Sequence, residues 1–365
     1  MTVIEREPGE RAKMGLCLGG GGITGVMYEV GCLAALEESF EGFSAADFDV
    51  YVGSSSGATL AAVLAGGHSA LRLYRALLDP ADDFFNLKRN HLLRLDAKEW
   101  RRVASSVVGA ARRFVSSAAS SPLELDVWNE LDRFWDSLPA GIFTLDPYER
   151  FLEAFMARRQ IPQDFDELPR TLFLVANDLD RGERAVFGDG ELSNVPISRA
   201  ICASSAIPVL FAPVRVDGRD FIDGGMGDVA HADLAANAGC SVVLIINPMV
   251  PVRASQDSPG VPTGHGPGRR VRDKGLIWVN SQAWRLRSEA RLLEGIRQYE
   301  LDHPDTELLL LEPAPDDATV FMYSPMNFAA RRAILEDGYR RTRQALDADG
   351  SELRAHLLAA GLRPA

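Results

Sequence analysis

The chain is poor in cysteine, has no long apolar runs, and carries fewer positive than negative charges. Its 365 residues include four cysteines, Cys17, Cys32, Cys202 and Cys240, with no C-x-x-C pair among them. That excludes a disulfide framework and a cysteine-based zinc site, and predicts reduced thiols packed in the core. No segment supplies about 18 uninterrupted apolar residues, which excludes a helical membrane span. The opening stretch MTVIEREPGERAK is charged and lacks the apolar centre of a secretory signal, so a cytoplasmic protein is expected. Thirty-nine Lys and Arg stand against 51 Asp and Glu, a net charge of -12 that repels a nucleic-acid backbone. No nucleic-acid partner is expected. No Gly-Lys-Ser/Thr follows the glycines, so there is no phosphate loop of the Walker kind. Metal-ligand spacing is also missing; neither metal nor cofactor is expected, and chelators should leave activity unchanged.

What is present is an ordinary globular composition, 46% hydrophobic and 25% charged, with a mean hydropathy of -0.06. Gly15 to Leu18 is a short apolar run leading into four glycines, and Val26 to Leu36 then repeats apolar residues at helical spacing. A second unit of this kind runs from Phe48 to Val52, through Gly53-Ser54-Ser55-Ser56-Gly57, into a small-residue helix ending near Ala65. Further apolar runs at Thr171–Ala176, Ser241–Ile246 and Glu307–Leu311 read as strands buried on both faces. The fold class is therefore α/β, with a mainly parallel central sheet flanked by helices.

Residues 79–170 are helically patterned without an obvious strand and read as a helical insertion, a candidate lid or interfacial region. Within it Trp100, Val103, Val107, Ala111, Phe114 and Val115 share one helix face, flanked by Arg101, Arg102, Arg112 and Arg113. From Lys88 to Arg113 eight basic residues stand against only Asp96 and Glu99. Two readings are open: residues 97–115 dock on an anionic membrane, or they pack on the core or on a second subunit. Residues 251–275, dense in Pro, Gly and Ser, read as a mobile surface loop, and Ile277–Ile296 and Phe328–Leu346 as amphipathic helices.

Three motifs carry chemistry. Gly53 to Gly57 matches G-x-S-x-G, in which Gly53 and Gly57 let a serine hydroxyl project from a tight strand-to-helix turn. Ser55 is the candidate nucleophile; a turn that merely caps a helix is the plain alternative. Gly19 to Gly25 places bare amides at a helix start, where an anion is attracted. Gly20, Gly22 and Gly25 also satisfy G-x-G-x-x-G, with Asp47 or Asp49 about where a ribose-binding acid would lie, which leaves a nucleotide-binding oxidoreductase open. Asp217-Gly218 is a two-residue hairpin signal that brings Asp223 to the end of the returning strand, followed by Gly224 and Gly225. A carboxylate fixed there could serve as a base for an activated serine. Of six histidines, His68, His91, His231, His265, His303 and His356, either His231 or His265 could serve in a Ser–Asp–His triad on spacing alone; the plain alternative is surface or packing histidines.

A glycine-rich loop, G-x-S-x-G about thirty residues later and Asp-Gly-Gly well downstream, in that order, resemble the patatin-like phospholipases. The likeness runs from about Lys13 to Asn247 and takes in Ala203-Ser204-Ser205-Ala206-Ile207-Pro208, similar to the family's A-S-x-A-x-P segment. It implies a three-layer patatin-like fold over a single domain, 13–350. It also implies a lipid acyl hydrolase with a Ser–Asp dyad: Ser55 as nucleophile, Asp223 as its partner, and Gly20, Gly21, Gly22 and Gly25 as the oxyanion loop. The chain departs from the family pattern in two places. Thr24 stands where Arg or Lys is usual, and Asp228-Val229-Ala230 stands where Asn-x-Pro is common. The expected substrate is a lipid or other carboxylic ester, with its class open; so are transacylation, a non-catalytic lipid-binding role on the same scaffold, peripheral membrane contact and a homo-oligomer.

Overall fold

The computed structural model describes residues 11–95, 138–226, 230–253, 261–263, 266–268, 270–314 and 330–365, with isolated positions between 100 and 136. Its centre is a sheet of eight strands among the described residues. Five run parallel in the order β13 (Glu307–Leu311), β10 (Val242–Ile246), β1 (Met14–Leu18), β2 (Val50–Ser54) and β5 (Thr171–Asp178). The hairpin β8 (Val214–Val216)–β9 (Arg219–Asp223) and strand β6 (Glu183–Phe187) join β5 antiparallel. The hairpin turns through Asp217 and Gly218, both at positive φ (48° and 82°), as its two-residue loop requires.

The apolar runs in the sequence follow from burial on both faces of this sheet. Met14, Leu16 and Leu18 point into one core with Tyr51, Leu172, Leu174, Leu244 and Ile246. Cys17, Val50, Val52, Val175, Val243 and Ile245 point into a second core on the other face. The first core is covered by α1 (Gly22–Ser39), α2 (Ser56–Ala65), α3 (Ala70–Leu78), α4 (Asp146–Arg159), α5 (Ile197–Ser204) and α8 (Arg331–Asp347). The second lies under α6 (Ala232–Asn237) and the long α7 (Leu276–Asp302). A final helix, α9 (Glu352–Ala359), brings the chain back to Ala12, whose amide donates to Ala360 O at 3.2 Å. The result is a three-layer α/β architecture, and all four cysteines are buried within it outside any disulfide.

Two stretches differ from the sequence reading. Residues 79–170 hold β3 (Arg94–Leu95) and β4 (Gly141–Thr144), which with β7 (Val209–Phe211) form a small separate sheet. These strands are too short for a period-2 signal to emerge. Helix α4 buries Phe151, Leu152, Phe155 and Met156 in the main core, so this part of the stretch belongs to the body of the fold. In 251–275 the strands β11 (Val261–Thr263) and β12 (Gly266–Gly268) pair, and a helical turn follows at Val271–Lys274. Of the apolar stripe, Trp100 is exposed and donates to Ile142 O, and Val103 is buried. Val107, Ala111, Phe114, Val115, Arg102, Arg113 and Phe328 lie outside the described residues. Among the described residues no helix is long and apolar enough to cross a membrane.

Helix α1 is the central helix of its layer, buried on nearly every side. It crosses α8 at a pair of glycines, and a Cβ at Gly31 would lie 2.4 Å from Leu335 O while one at Gly338 would lie 2.6 Å from Tyr28 O. The two backbones touch. Because neither carbonyl can move without unwinding a helix, Gly31→Ala should destabilise the protein by about 1–3 kcal/mol. A lower urea midpoint at unchanged slope is the expected measurement.

Candidate active site

The edge of β5 is shared by two strands arriving from opposite directions. β2, parallel to β5, pairs along Thr171 to Val175 and ends with Ser54 opposite Val175. β9, antiparallel, takes up the same edge at the next residue, with Asp223 opposite Ala176. Leu174 and Ala176 both pair with β6 as well, which fixes β2 and β9 to the other, common edge. The C-terminal ends of β2 and β9 therefore meet, and the residues leaving them, Ser55 and Asp223, are brought together from 168 positions apart by one ladder.

Ser55 is the residue between β2 and α2 and has φ 55°, ψ -129°, a conformation costly for a side chain other than glycine. It is held there on both sides: its amide donates to Ser204 O at 3.1 Å and to Ser204 Oγ at 2.9 Å, and its carbonyl accepts from Ser205 Oγ at 3.1 Å. The turn also needs its two glycines, since a Cβ at Gly57 would lie 2.5 Å from Leu18 O and one at Gly53 would lie 2.7 Å from Ala58 Cα. Ser204 and Ser205, which the sequence offers only as part of a family-like segment, thus act as a clamp. Their hydroxyls carried no separate sequence signal.

Asp223 is 4% exposed. Its Oδ1 accepts from the Gly225 amide at 2.8 Å, while Oδ2 is buried without a hydrogen bond of ordinary geometry. Burial raises its pKa to about 6, opposed by the neighbouring Ser55 hydroxyl and the Gly225 amide. The Ser55 side chain is thus near enough to stabilise the carboxylate but is not aligned as a tight hydrogen bond. Gly224 allows the chain to turn against β5, where a Cβ would lie 2.0 Å from Val175 O. Asn177 Nδ2 steadies the turn by donating to Asp223 O at 2.7 Å. No histidine is among the groups that shift Asp223. His231 is buried at the start of α6, where Asp233 is the carboxylate that feels its charge, and His265 lies outside the described residues.

The glycine loop lies on the far side of Ser55. Gly20, Gly21 and Gly22 all have positive φ, 76°, 107° and 67°. Gly20 is the point of contact, for a Cβ there would be 2.7 Å from both Ser54 O and Ser55 Cβ. Gly25 lets the loop fold over the start of α1, with Gly20 O filling the space of its absent side chain. The amides of Gly19 and Gly20 are taken, donating to Ile246 O at 3.1 Å and to Glu29 Oε1 at 3.1 Å. Gly21 and Gly22 then head α1, where backbone N–H groups lack helical partners. Thr24 Oγ1 donates to Gly21 O at 3.3 Å, so at this position a hydroxyl braces the loop where a cation would be expected from the family.

Glu29 is the residue that sequence reading passed over. It is wholly buried beneath the loop, and burial raises its pKa to about 8, opposed by the Gly20 and Gly19 amides. It is a neutral acid at pH 7. The available signal was its isolation, as the only charged residue between Gly22 and Leu36.

An apolar cavity of about 100 Å³ opens from Ser55 and Gly22 and runs between α1, α2 and α3 past Val26, Val30, Leu60, Val63, Leu73 and Leu77. Asp47 and Asp49 lie at the opposite end of the sheet, before β2. Asp47 caps the turn at Ser44, and Asp49 Oδ2 accepts from Met14 N at 2.8 Å. Neither can reach a ribose held at the glycine loop. Among the described residues no group of three or more His, Cys, Asp or Glu side chains could hold a metal ion.

Three solved structures are similar to this chain. VipD from Legionella pneumophila is 16% identical, with 94% of this chain and 69% of that chain covered and a TM-score of 0.38. The type III effector protein ExoU is 17% identical, covering 91% of this chain and 54% of its own, with a TM-score of 0.31. ExoU in complex with SpcU, from the type III secretion system of Pseudomonas aeruginosa, is 17% identical with 92% and 54% covered and a TM-score of 0.31. This chain spans about half the length of the ExoU chains, and at these scores the likenesses carry no statement about activity. A family model for patatin-like phospholipases matches residues 16–236, more than half the chain, and takes in the glycine loop, the Ser55 turn and Asp223. The chain therefore belongs to the patatin-like phospholipase family, a family of lipid acyl hydrolases.

Proposed function

We propose that this protein hydrolyses carboxylic esters of lipids through a Ser55–Asp223 dyad and an acyl-enzyme. The observation that carries the reading is the meeting of β2 and β9 on one edge of β5, which sets a strained serine beside a buried carboxylate at the mouth of an apolar cavity. Asp223 Oδ2, buried and without a partner, takes the proton as Ser55 Oγ attacks the ester carbonyl. The tetrahedral oxyanion is received by the amides of Gly21 and Gly22, already aimed by the start of α1. The proton passes to the leaving alcohol, and water repeats the cycle on the acyl-enzyme. An ordinary aspartate, with a pKa of about 3.9, is a weak base near neutrality. Burial to about 6 makes Asp223 a better one while leaving it mostly ionised at pH 7.

The cavity supports an acyl chain as the group bound: its walls are mainly aliphatic and aromatic, and Ser55 and Ser56 are among the residues that line it. Glu29 supports the loop from below. As a neutral acid it accepts the Gly20 amide without placing a negative charge behind the oxyanion site, which would oppose charge developing there.

Ser55→Ala and Asp223→Asn should each abolish hydrolysis of p-nitrophenyl esters and phospholipid while leaving thermal unfolding in place; substantial turnover by either variant refutes the dyad. Since the base acts only when ionised, kcat/KM should rise with pH through about 6 and level off above it. Gly20→Ala, which would push the loop off Ser55, should lower kcat by on the order of a hundredfold. For Glu29 the folded pKa lies above the unfolded value of 4.5, so the folded state holds a proton that the unfolded state releases between there and about 8. Stability should fall as pH rises across that window. Glu29→Gln keeps the acceptor and cannot ionise, so chemical denaturation at several pH values should show a shallower fall for this variant.

A further inference from the structure

Between residues 86–94 and helix α4 lies an open groove of about 830 Å³, separate from the Ser55 cavity. Its charged walls are of one sign among the described residues: Lys88, Arg94, Arg150 and Arg158 line it, and no described carboxylate does. None of the four has an ion-pair partner among the described residues, although the protein as a whole carries a net charge of -12. The acids of α4 are directed elsewhere, with Glu149 bound to Arg199 at 2.6 Å and Asp146 and Glu153 outside the groove. Unpaired cations held together repel one another, and in an acidic chain their convergence without a counter-charge leaves a local field that attracts an anion.

The groove also has a fixed floor. The His91 ring stacks on Phe151 at 4.8 Å and 24°, and its Nδ1 accepts from the Lys88 amide at 3.2 Å. With Nδ1 occupied as an acceptor, the proton of the neutral ring is on Nε2, a further donor on the groove wall. Guanidinium groups present paired N–H donors in a planar fork that matches the oxygens of a phosphate, and three such groups with an ammonium suit a phosphomonoester or phosphodiester better than a lone carboxylate. The volume exceeds what one inorganic ion fills and leaves room for a glycerol or sugar moiety.

We infer that this groove is a binding site for a phosphate-bearing anion, placed on the outer side of the wall that also bounds the acyl cavity. Phe85, Leu87 and Leu92 face the cavity from that segment, while Lys88, His91 and Arg94 face the groove. A ligand in the groove would thus hold one wall of the cavity without touching the Ser55 site. The phosphate can arrive on a lipid headgroup or on a free phosphorylated compound, and the two are separable by experiment.

The test uses the full chain and reads binding rather than turnover, so its result is independent of which ester Ser55 cleaves. Glycerol 3-phosphate is titrated while the His91 ring resonances are followed by NMR, and the protein is sedimented with phosphatidylcholine vesicles with and without phosphatidic acid. Saturable, salt-weakened binding is expected. Saturation with glycerol 3-phosphate identifies a free phosphate compound as sufficient; binding only to the phosphatidic acid vesicles identifies a lipid headgroup. Arg94→Gln/Arg150→Gln, at two exposed and unpaired positions, should weaken binding roughly tenfold or more. A second pair, Lys88→Gln/Arg158→Gln, should do the same with thermal unfolding unchanged. Absence of saturable binding with both probes, or affinity in both double variants equal to that of the unaltered protein, overturns the assignment.

Discussion

One edge of one strand organises this molecule. Because β2 stops pairing with β5 at Ser54 and β9 begins at Asp223, the ladder of β5 brings together Ser55 and Asp223, which are remote in sequence. A hydrogen-bonded ladder is stiff along its own axis, and the first core packs beneath it at high density. Neither residue depends on a flexible loop for its position. The strain at Ser55 is affordable on the same ground: the Ser204 and Ser205 contacts and the start of α2 determine its backbone more than its own preference does.

Burial raises the pKa of both carboxyl groups of the site, to different extents. Burial makes Asp223 more basic, while one amide donor and one hydroxyl neighbour oppose the shift and keep it mostly ionised at neutral pH. Glu29 has its Oε2 without a partner and lies deeper, so desolvation prevails and the group stays protonated. A largely ionised carboxylate lies beside Ser55, and a neutral one lies under the glycine loop. The same chemistry at two depths separates the roles.

The parallel strands and the hairpin were legible in the sequence because continuous apolar runs and an Asp-Gly turn are local signals. Each of Thr171, Val242 and Glu307 begins or nearly begins its expected strand. The Ser55 turn and the Asp-Gly-Gly segment were legible for the same reason. What joined them was not: the order of strands on β5 is a non-local property, and nothing in residues 171–178 announces that two strands will share one edge. Glu29, Ser204 and Asn177 act through contacts made only after folding. The small sheet of β3, β4 and β7 escaped because strands of two to four residues carry too little periodicity to separate from their helical surroundings.

The crossing of α1 and α8 at Gly31 and Gly338 has a mechanical consequence. Helices in direct main-chain contact cannot slide or separate without opening a gap that no side chain fills, so α1 serves as a fixed rail along the apolar cavity. The opposite bank is formed by α3 and the segment bearing Phe85 and Leu92.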